Sequence, residues 1–387
     1  MAPASACSRP LVFVTGPPSA RGFGINTHIR MLQSTGLAQA YRLEVVDLGG
    51  ETWRASGPGR VVRLLSQLVR FRRALSARRP ALVHFNSAPD AKAFLRDAAA
   101  LWTVPRRIAT VFEFHGGFER NTVLQGPAWF RRYAELTLRR ASAVVVLAPY
   151  HEERLLGLCP GLTNVRVVPN FLEPEAMSAL LAAERVPGGD TLRLLFIGRV
   201  TREKGVLDAI EAMRLLRDRG TTAALTVVGS GEDLGAARAL VARRGLEGTV
   251  RFTGFAGGED KIAAYRSSDA LVFPTRWNEG FPYVLLEAMA AGLPIVSTTH
   301  GVMPHLLRDG VNGFLVGPRD PAALAERIER LAKDPTLRAA VGNANRREVQ
   351  ASYGIGEATR AYGELYAGVL RGRTDEAADL GLDRLRS

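Results

Sequence analysis

The stretch Phe273-Pro-Thr-Arg-Trp-Asn-Glu-Gly-Phe-Pro-Tyr-Val-Leu-Leu-Glu-Ala-Met-Ala-Ala-Gly-Leu-Pro-Ile-Val-Ser297 decides the fold. It reads as strand, loop, helix, strand. Ala270–Phe273 is a short apolar run of the buried-strand kind. A polar loop follows over Thr275–Gly280, and a helix runs through Val284–Ala290. Pro282 sits where a first turn tolerates a missing N–H; Gly292 and Pro294 end the helix. Glu279 lies on the loop and Glu287 about two turns later, inside the helix. Backbone amides of Gly280, Phe281 and Tyr283, before Val284, face an incoming anion with the helix dipole behind them. A carboxylate on either side of that anion can grip hydroxylated groups flanking a diphosphate. That is the shape of a nucleotide-sugar site.

Working back from this stretch, the second half restarts an alternation of strand and helix at Leu192–Gly198. The loop Gly198-Arg199-Val-Thr-Arg-Glu-Lys204-Gly205 precedes a helix over Val206–Arg217. Arg199, a planar fork, and Lys204, a point charge, are placed to clamp a diphosphate at that strand end. Leu225–Gly229 is the next strand, ending on Gly229-Ser-Gly-Glu, and Val250–Gly254 another. Pro294–Thr298 is a strand, Gly301–His305 a loop, and helices follow at Pro321–Lys333, Pro335–Arg347 and Ile355–Arg371. Residues 372–387 are polar, without periodicity, and are expected to be partly disordered.

The first half alternates in the same way. Strands are expected at Leu11–Thr15, Leu43–Leu48, Leu82–Phe85, Ile108–Phe114, Ala143–Ala148 and Val165–Pro169. Helices lie between them at Asn26–Gly36, Arg60–Arg78, Ala91–Trp102, Pro127–Arg140 and Tyr150–Leu158. Such alternation favours parallel sheets covered by helices on both faces, with ligands beyond the carboxyl ends of the strands. Three of those ends are unusual. Gly22 and Gly24, in the loop after the first strand, would let backbone approach a phosphate or an acceptor. His84-Phe-Asn86-Ser, after the third, can line a cleft. His115-Gly116-Gly, after the fourth, leaves an imidazole uncrowded and able to meet a sugar hydroxyl.

The chain of 387 residues suits two domains. We draw them at 1–185, completed by the helix 355–371, and at 190–350, with Pro187-Gly-Gly in the crossing. Hydrophobic content of 47% and charged content of 23% are those of a globular protein. No apolar run approaches the roughly 18 residues that cross a bilayer, and Leu11–Gly16 is too short for a signal-peptide core. Cys7 and Cys159 stand alone, which indicates neither a disulfide framework nor a thiolate metal site and favours a cytoplasmic setting. The net charge of +13 is uneven, with 24 basic and 13 acidic residues in positions 1–185. Its densest part, Thr52–Pro89, has eight arginines and no acid. The helix within it, in the Arg60–Arg79 region, could lie against anionic lipid or be a solvated outer face. Nucleic acid is disfavoured because no aromatic residues interleave the arginines.

Glu279-x7-Glu287 with Gly280-Phe-Pro, followed by Glu-Ala-Met-Ala-x-Gly-x-Pro-Ile-Val, resembles the donor-site signature of the retaining glycosyltransferase family 4. Gly198-Arg-x4-Lys-Gly resembles that family's phosphate element, Gly229-Ser-Gly-Glu its nucleotide-side turn, and His115 its active-site histidine. The likeness is dense in the second half and thinner in the first. Phe171 replaces the usual Gly after Pro169-Asn170, and Val302 and His305 depart from Gly-Gly-x-Pro-Glu, which leaves the donor-sugar contacts open. The resemblance implies an α/β, GT-B architecture, two Rossmann-like domains with parallel sheets facing a central cleft, donor in the second domain and acceptor mainly in the first. It also implies metal-independent, retaining transfer of a sugar from a nucleotide-diphosphate sugar, without a further cofactor, to a glycan or lipid-linked acceptor of cell-surface polysaccharide synthesis. Glu279 would orient the sugar, Glu287 bind the ribose hydroxyls, Arg199 and Lys204 hold the leaving diphosphate, and His115 bind a sugar hydroxyl. A sugar-nucleotide 2-epimerase shares the architecture and would need further cleft carboxylates, for which Glu113 and Glu119 are the nearby candidates. A non-catalytic glycan- or membrane-binding scaffold is the remaining reading.

Overall fold

The computed structural model describes residues 9–16, 24–48, 58–118, 125–182 and 190–379. The chain divides into two compact units: residues up to Asn170 together with those from Gly356, and Phe171–Ile355.

The first unit carries β1 (Leu11–Gly16), α1 (Ile25–Ser34), α2 (Leu37–Ala40), β2 (Arg42–Asp47), α3 (Pro58–Arg78), β3 (Leu82–Ser87), α4 (Ala91–Thr103) and β4 (Ala109–Phe114). It continues with α5 (Ala128–Arg140), β5 (Ala143–Val146), α6 (Pro149–Leu158) and β6 (Val165–Val167). Its sheet runs β2-β1-β3-β4-β5-β6, and every pairing is parallel. β3 and β4 are buried along their whole length, as central strands of a covered sheet must be. Their alternation separates two faces. Phe85, Phe112 and Phe114 join an apolar core with Phe94 and Phe118, while His84, Asn86 and Glu113 point the other way, in register as Asn86 opposite Glu113.

The second unit holds α7 (Pro174–Leu181), β7 (Leu192–Ile197), α8 (Val206–Asp218), β8 (Ala223–Val228), α9 (Leu234–Arg244), β9 (Val250–Gly254), α10 (Gly258–Arg266) and β10 (Ala270–Phe273). Beyond these lie α11 (Tyr283–Ala290), β11 (Ile295–Thr298), α12 (Met303–Leu306), β12 (Phe314–Val316), α13 (Pro321–Lys333) and α14 (Pro335–Ser352). The last helix, α15 (Ile355–Asp379), passes into the first unit. The second sheet is parallel, in the order β12-β11-β10-β7-β8-β9. Counted from β7 this is the doubly wound order 3-2-1-4-5-6, whose direction reverses between β7 and β10. Ligands of such sheets sit outside the strand ends at that reversal.

Several expectations need correction. The helix expected over Asn26–Gly36 ends at Ser34 and a separate short turn, α2, follows, because the chain leaves helical geometry at Thr35. The loop at Gly301–His305 winds into α12, for which Pro304 is an acceptable first-turn residue. The final helix does not stop at Arg371 but continues to Asp379. Thr374-Asp-Glu-Ala-Ala offers no breaker, and alanine and glutamate favour continuation.

Candidate functional site

In the second unit the reversal of strand order gathers the loops after β7 and β10. Gly198 follows β7 with φ +148°, and a 3-10 turn over Arg202–Lys204 closes on Gly205 at φ +82°. A Cβ on Gly205 would stand 2.1 Å from the Pro274 carbonyl oxygen, so the two loops touch only because this residue is glycine. A Cβ on Gly229, at the end of β8, would likewise stand 1.8 Å from the Gly198 carbonyl oxygen. The Arg276 amide then donates to the Glu203 carbonyl at 2.8 Å, tying one loop to the other.

This close approach sets the side chains. Lys204 Nζ forms a salt bridge with Glu279 Oε1, and Thr275 Oγ1 donates to the same carboxylate oxygen at 3.0 Å. Both charged side chains are largely buried. Arg199 lies exposed with its guanidinium 4.7 Å from the centre of the Trp277 ring, a cation–π contact that holds the fork outside the strand end. Gly280 leads into α11, where Pro282 is the N-cap, no side chain caps the first turn, and Tyr283 and Val284 are half-buried within it. Phe281 does not join this group as a side chain. It is buried, its ring centre 5.3 Å from that of Tyr353.

Glu287 is held from α10. Its Oε1 accepts from Lys261 Nζ and its Oε2 from the Tyr265 hydroxyl at 2.7 Å. Burial and the neighbouring Glu287 push the Tyr265 hydroxyl well above the usual tyrosine range, so it stays a proton donor. Sequence reading missed Lys261, Tyr265 and Thr275. The four-residue spacing of Lys261 and Tyr265 was a visible signal, since it sets both on one helix face.

In the first unit, sequence-expected residues of β3, of β4 and of the turn after β4 meet. His115 Nε2 lies 2.9 Å from Asn86 Oδ1. Glu113, fully buried, accepts from His84 Nε2 at 2.9 Å and from the Tyr362 hydroxyl at 2.9 Å. His84 Nδ1 lies 2.7 Å from the Tyr366 hydroxyl, and His28 Nε2 lies 3.4 Å from Glu113 Oε1. Tyr362 and Tyr366 both come from α15. Burial pulls the His115 imidazole down to about 3, with Glu113 opposing and His28 and His84 reinforcing the fall. Burial acts to raise the Glu113 carboxyl, but the surrounding His28, His115 and His84 outweigh it and hold it far below the usual carboxylate range. Glu113 is therefore a structural anion, closed off from any substrate. The metal-ligating atoms of His28, Glu113 and His115 lie within 4.8 Å of one another, as do those of Glu203, Glu232 and Asp233. Those of the first group are already engaged by Tyr362, His84 and Asn86. Gly24 is the N-cap of α1 at φ +72°, and Gly116 follows His115 close against Pro89. Gly22 and Glu119 lie outside the described residues.

Two family models match the chain: Glycosyl transferases group 1 over residues 182–348 and Glycosyltransferase Family 4 over residues 24–176. The putative colanic acid biosynthesis glycosyltransferase WcaL of Salmonella typhimurium is 31% identical over 65% of this chain and 61% of its own length. The amylovoran biosynthesis glycosyltransferase AmsK of Erwinia amylovora is 29% identical over 65% and 61%. The chain thus spans about three fifths of the length of these curated relatives, and 42% of an uncharacterized glycosyltransferase of Methanocaldococcus jannaschii. Among solved structures, a glycosyltransferase from Rickettsia africae superposes with a TM-score of 0.75 at 18% identity, covering 94% of this chain and 99% of the other. Anabaena HepE, in complex with UDP and glucose, gives 0.70 at 18% identity over 93% and 100%. Together the two models reach from residue 24 to residue 348, the fold is GT-B, and the chain belongs to the group 1, family 4 glycosyltransferases.

Proposed function

We propose that the chain transfers a hexosyl group, with retention, from a nucleotide-diphosphate sugar to a glycan or lipid-linked acceptor during cell-surface polysaccharide or glycolipid synthesis. The observation that carries this reading is the Lys204–Glu279 salt bridge at the strand-order reversal of the second unit. It joins the cation-bearing loop of β7 to the acidic loop that feeds α11. A diphosphate there would share the Lys204 ammonium and the Arg199 fork with the first amides of α11, and the charge building on it would be stabilised by fixed donors. Glu279 then orients the sugar, and Glu287 takes the ribose hydroxyls. His115 meets a sugar hydroxyl. The bond from sugar C1 to the phosphate oxygen breaks, the acceptor oxygen bonds to C1 on the same face, and its proton passes to the departing phosphate. Cations and helix amides supply the charge compensation, so the reading assigns no role to a metal or other cofactor. That HepE holds UDP and glucose, and that AmsK and WcaL are named for polysaccharide biosynthesis, supports the donor class and the pathway. We assign the reaction to the cytoplasm, the compartment that the sparse cysteine usage favours.

The burial of Glu113 removes one of the two carboxylates open to the epimerase alternative and so weighs against it. The test is a panel of UDP-, GDP- and ADP-sugars assayed for hydrolysis and transfer. Transfer that collapses in folded Glu279→Gln and Lys204→Ala variants bears the proposal out; unchanged turnover in both removes it.

A further inference from the structure

α3 presents an apolar face that none of the described residues covers. Val61, Val62, Leu65 and Val69 are 59%, 66%, 56% and 49% exposed. At 3.6 residues per turn the four fall within about 100° of one another, so they form one continuous stripe. The other side of the helix is spent on packing: Phe71 and Leu75 are buried in the first unit's core, and the Phe71 ring lies 6.0 Å from that of Phe85. A helix that needed only to solvate its outer face would place polar residues along it. This one places aliphatic side chains there.

The charge around the stripe is of one sign. α3 contains six arginines and no acidic residue. Arg78 is neutralised by Glu44 at 2.7 Å. Arg70, Arg72 and Arg73 are exposed, and among the described residues no carboxylate lies within salt-bridge distance of them. Arg72 and Arg73 line a shallow recess with Val69, Ser76 and Ala77, which puts cations at the edge of the aliphatic stripe. A stripe of branched aliphatic residues flanked by guanidinium groups matches a surface with hydrocarbon below and phosphate above.

We infer that α3 is an interfacial helix that seats the first unit on a bilayer bearing anionic lipid, with Val61, Val62, Leu65 and Val69 at the acyl boundary and Arg70, Arg72 and Arg73 on headgroup phosphates. The geometry differs from simple electrostatic adsorption, in which the aliphatic residues would contribute nothing. It holds whether or not the chain transfers sugar, and it rests on α3 alone.

The test is flotation of the full chain with phosphatidylcholine vesicles, with and without phosphatidylglycerol. The chain is expected to float with the anionic vesicles and remain unbound with the neutral ones. Arg70→Gln/Arg72→Gln/Arg73→Gln should lower partitioning by about a hundredfold. Val62→Ser/Leu65→Gln, which leaves every charge in place, should lower it by roughly tenfold. Circular dichroism confirms that each variant is folded, and a single Leu65→Gln replaces the double variant if that one is not. Unchanged binding by the aliphatic variant overturns insertion, and equal binding to neutral vesicles overturns the role of the arginines. A chain that is dimeric by light scattering and becomes monomeric in Val62→Ser/Leu65→Gln would show that a second copy, not lipid, covers the stripe. The assay measures no turnover, so its failure leaves the transfer reading standing, and the reverse.

Discussion

His115 Nε2 stands 2.9 Å from Asn86 Oδ1, and the orientation of that amide is fixed because Asn86 Nδ2 donates to the Thr15 carbonyl at 3.0 Å. Turning the amide over would set its oxygen against the Thr15 oxygen. The network therefore assigns the His115 proton to Nε2 and the lone pair to Nδ1. Glu113 Oε1, 3.6 Å from the same nitrogen, favours a proton there as well. Asn86, expected to bind substrate, is buried and committed to positioning this imidazole. Nitrogen and carbon chemical shifts of His115 should report the Nε2–H tautomer at neutral pH. In Asn86→Ala they should move toward a mixture; an unchanged tautomer in that variant would show that Asn86 does not set it.

Acid should destabilise the first unit. His115 is neutral in the fold, with its pKa near 3, against an ordinary 6.5 in the unfolded chain. Between those values the unfolded chain binds the extra proton, so stability falls as pH falls, by up to about 1.4 kcal/mol per pH unit for this group. Glu113, held low in the fold, adds a loss below its ordinary 4.5. Chemical denaturation followed from pH 7 to 4 should show the slope, and His115→Gln should flatten it.

Tyr362→Phe removes a hydroxyl donor from a buried carboxylate without changing shape. Hydrogen bonds to charged groups contribute about 1.5–3 kcal/mol, so a loss of that size is expected in urea melts. Tyr366→Phe leaves His84 Nδ1 without its partner and should cost roughly 1 kcal/mol.

Gly205→Ala should unfold or severely weaken the second unit. The new Cβ would lie 2.1 Å from a backbone oxygen at φ +82°, and neither the loop nor Pro274 can yield cheaply. A loss above about 2 kcal/mol is expected, measured as a fall in melting temperature of the variant.

Lys261→Ala and Tyr265→Phe should act on the donor rather than on chemistry. Both side chains hold Glu287, which we assign to the ribose hydroxyls. The KM for the donor should rise about tenfold with kcat little changed, the pattern of lost uniform binding. A fall in kcat with KM constant would move Glu287 from the ribose to the reacting sugar.

The second unit was the more legible half because its strand ends carry charge at fixed spacing. Arg199, Lys204, Glu279 and Glu287 stand out against apolar strands, and a parallel α/β alternation forces them to one edge of the sheet. The spacing of Lys261 and Tyr265 puts them on one helix face but does not say what that face meets, and the contacts of Lys261, Tyr265 and Thr275 with Glu287 and Glu279 are tertiary. In the first unit the same limit was sharper. His84 and Glu113 are short-range oddities in otherwise apolar strands, and their meaning lies in Tyr366 and Tyr362 respectively, 282 and 249 residues away. At Phe281 the reading concerned the backbone amide alone, and the packing of its ring on Tyr353 is again a tertiary contact that no motif announces.

Tyr362, which donates to Glu113, and Tyr366, which pairs with His84, belong to α15, and α15 follows the whole of the second unit in the chain. The nascent first unit must wait through synthesis of the entire second one with its central strand bearing a half-satisfied anion. Its consolidation thus comes only after the second unit has been made, and a transcript broken ahead of Tyr362 would yield a sheet that is complete in strands yet unfinished at its polar heart.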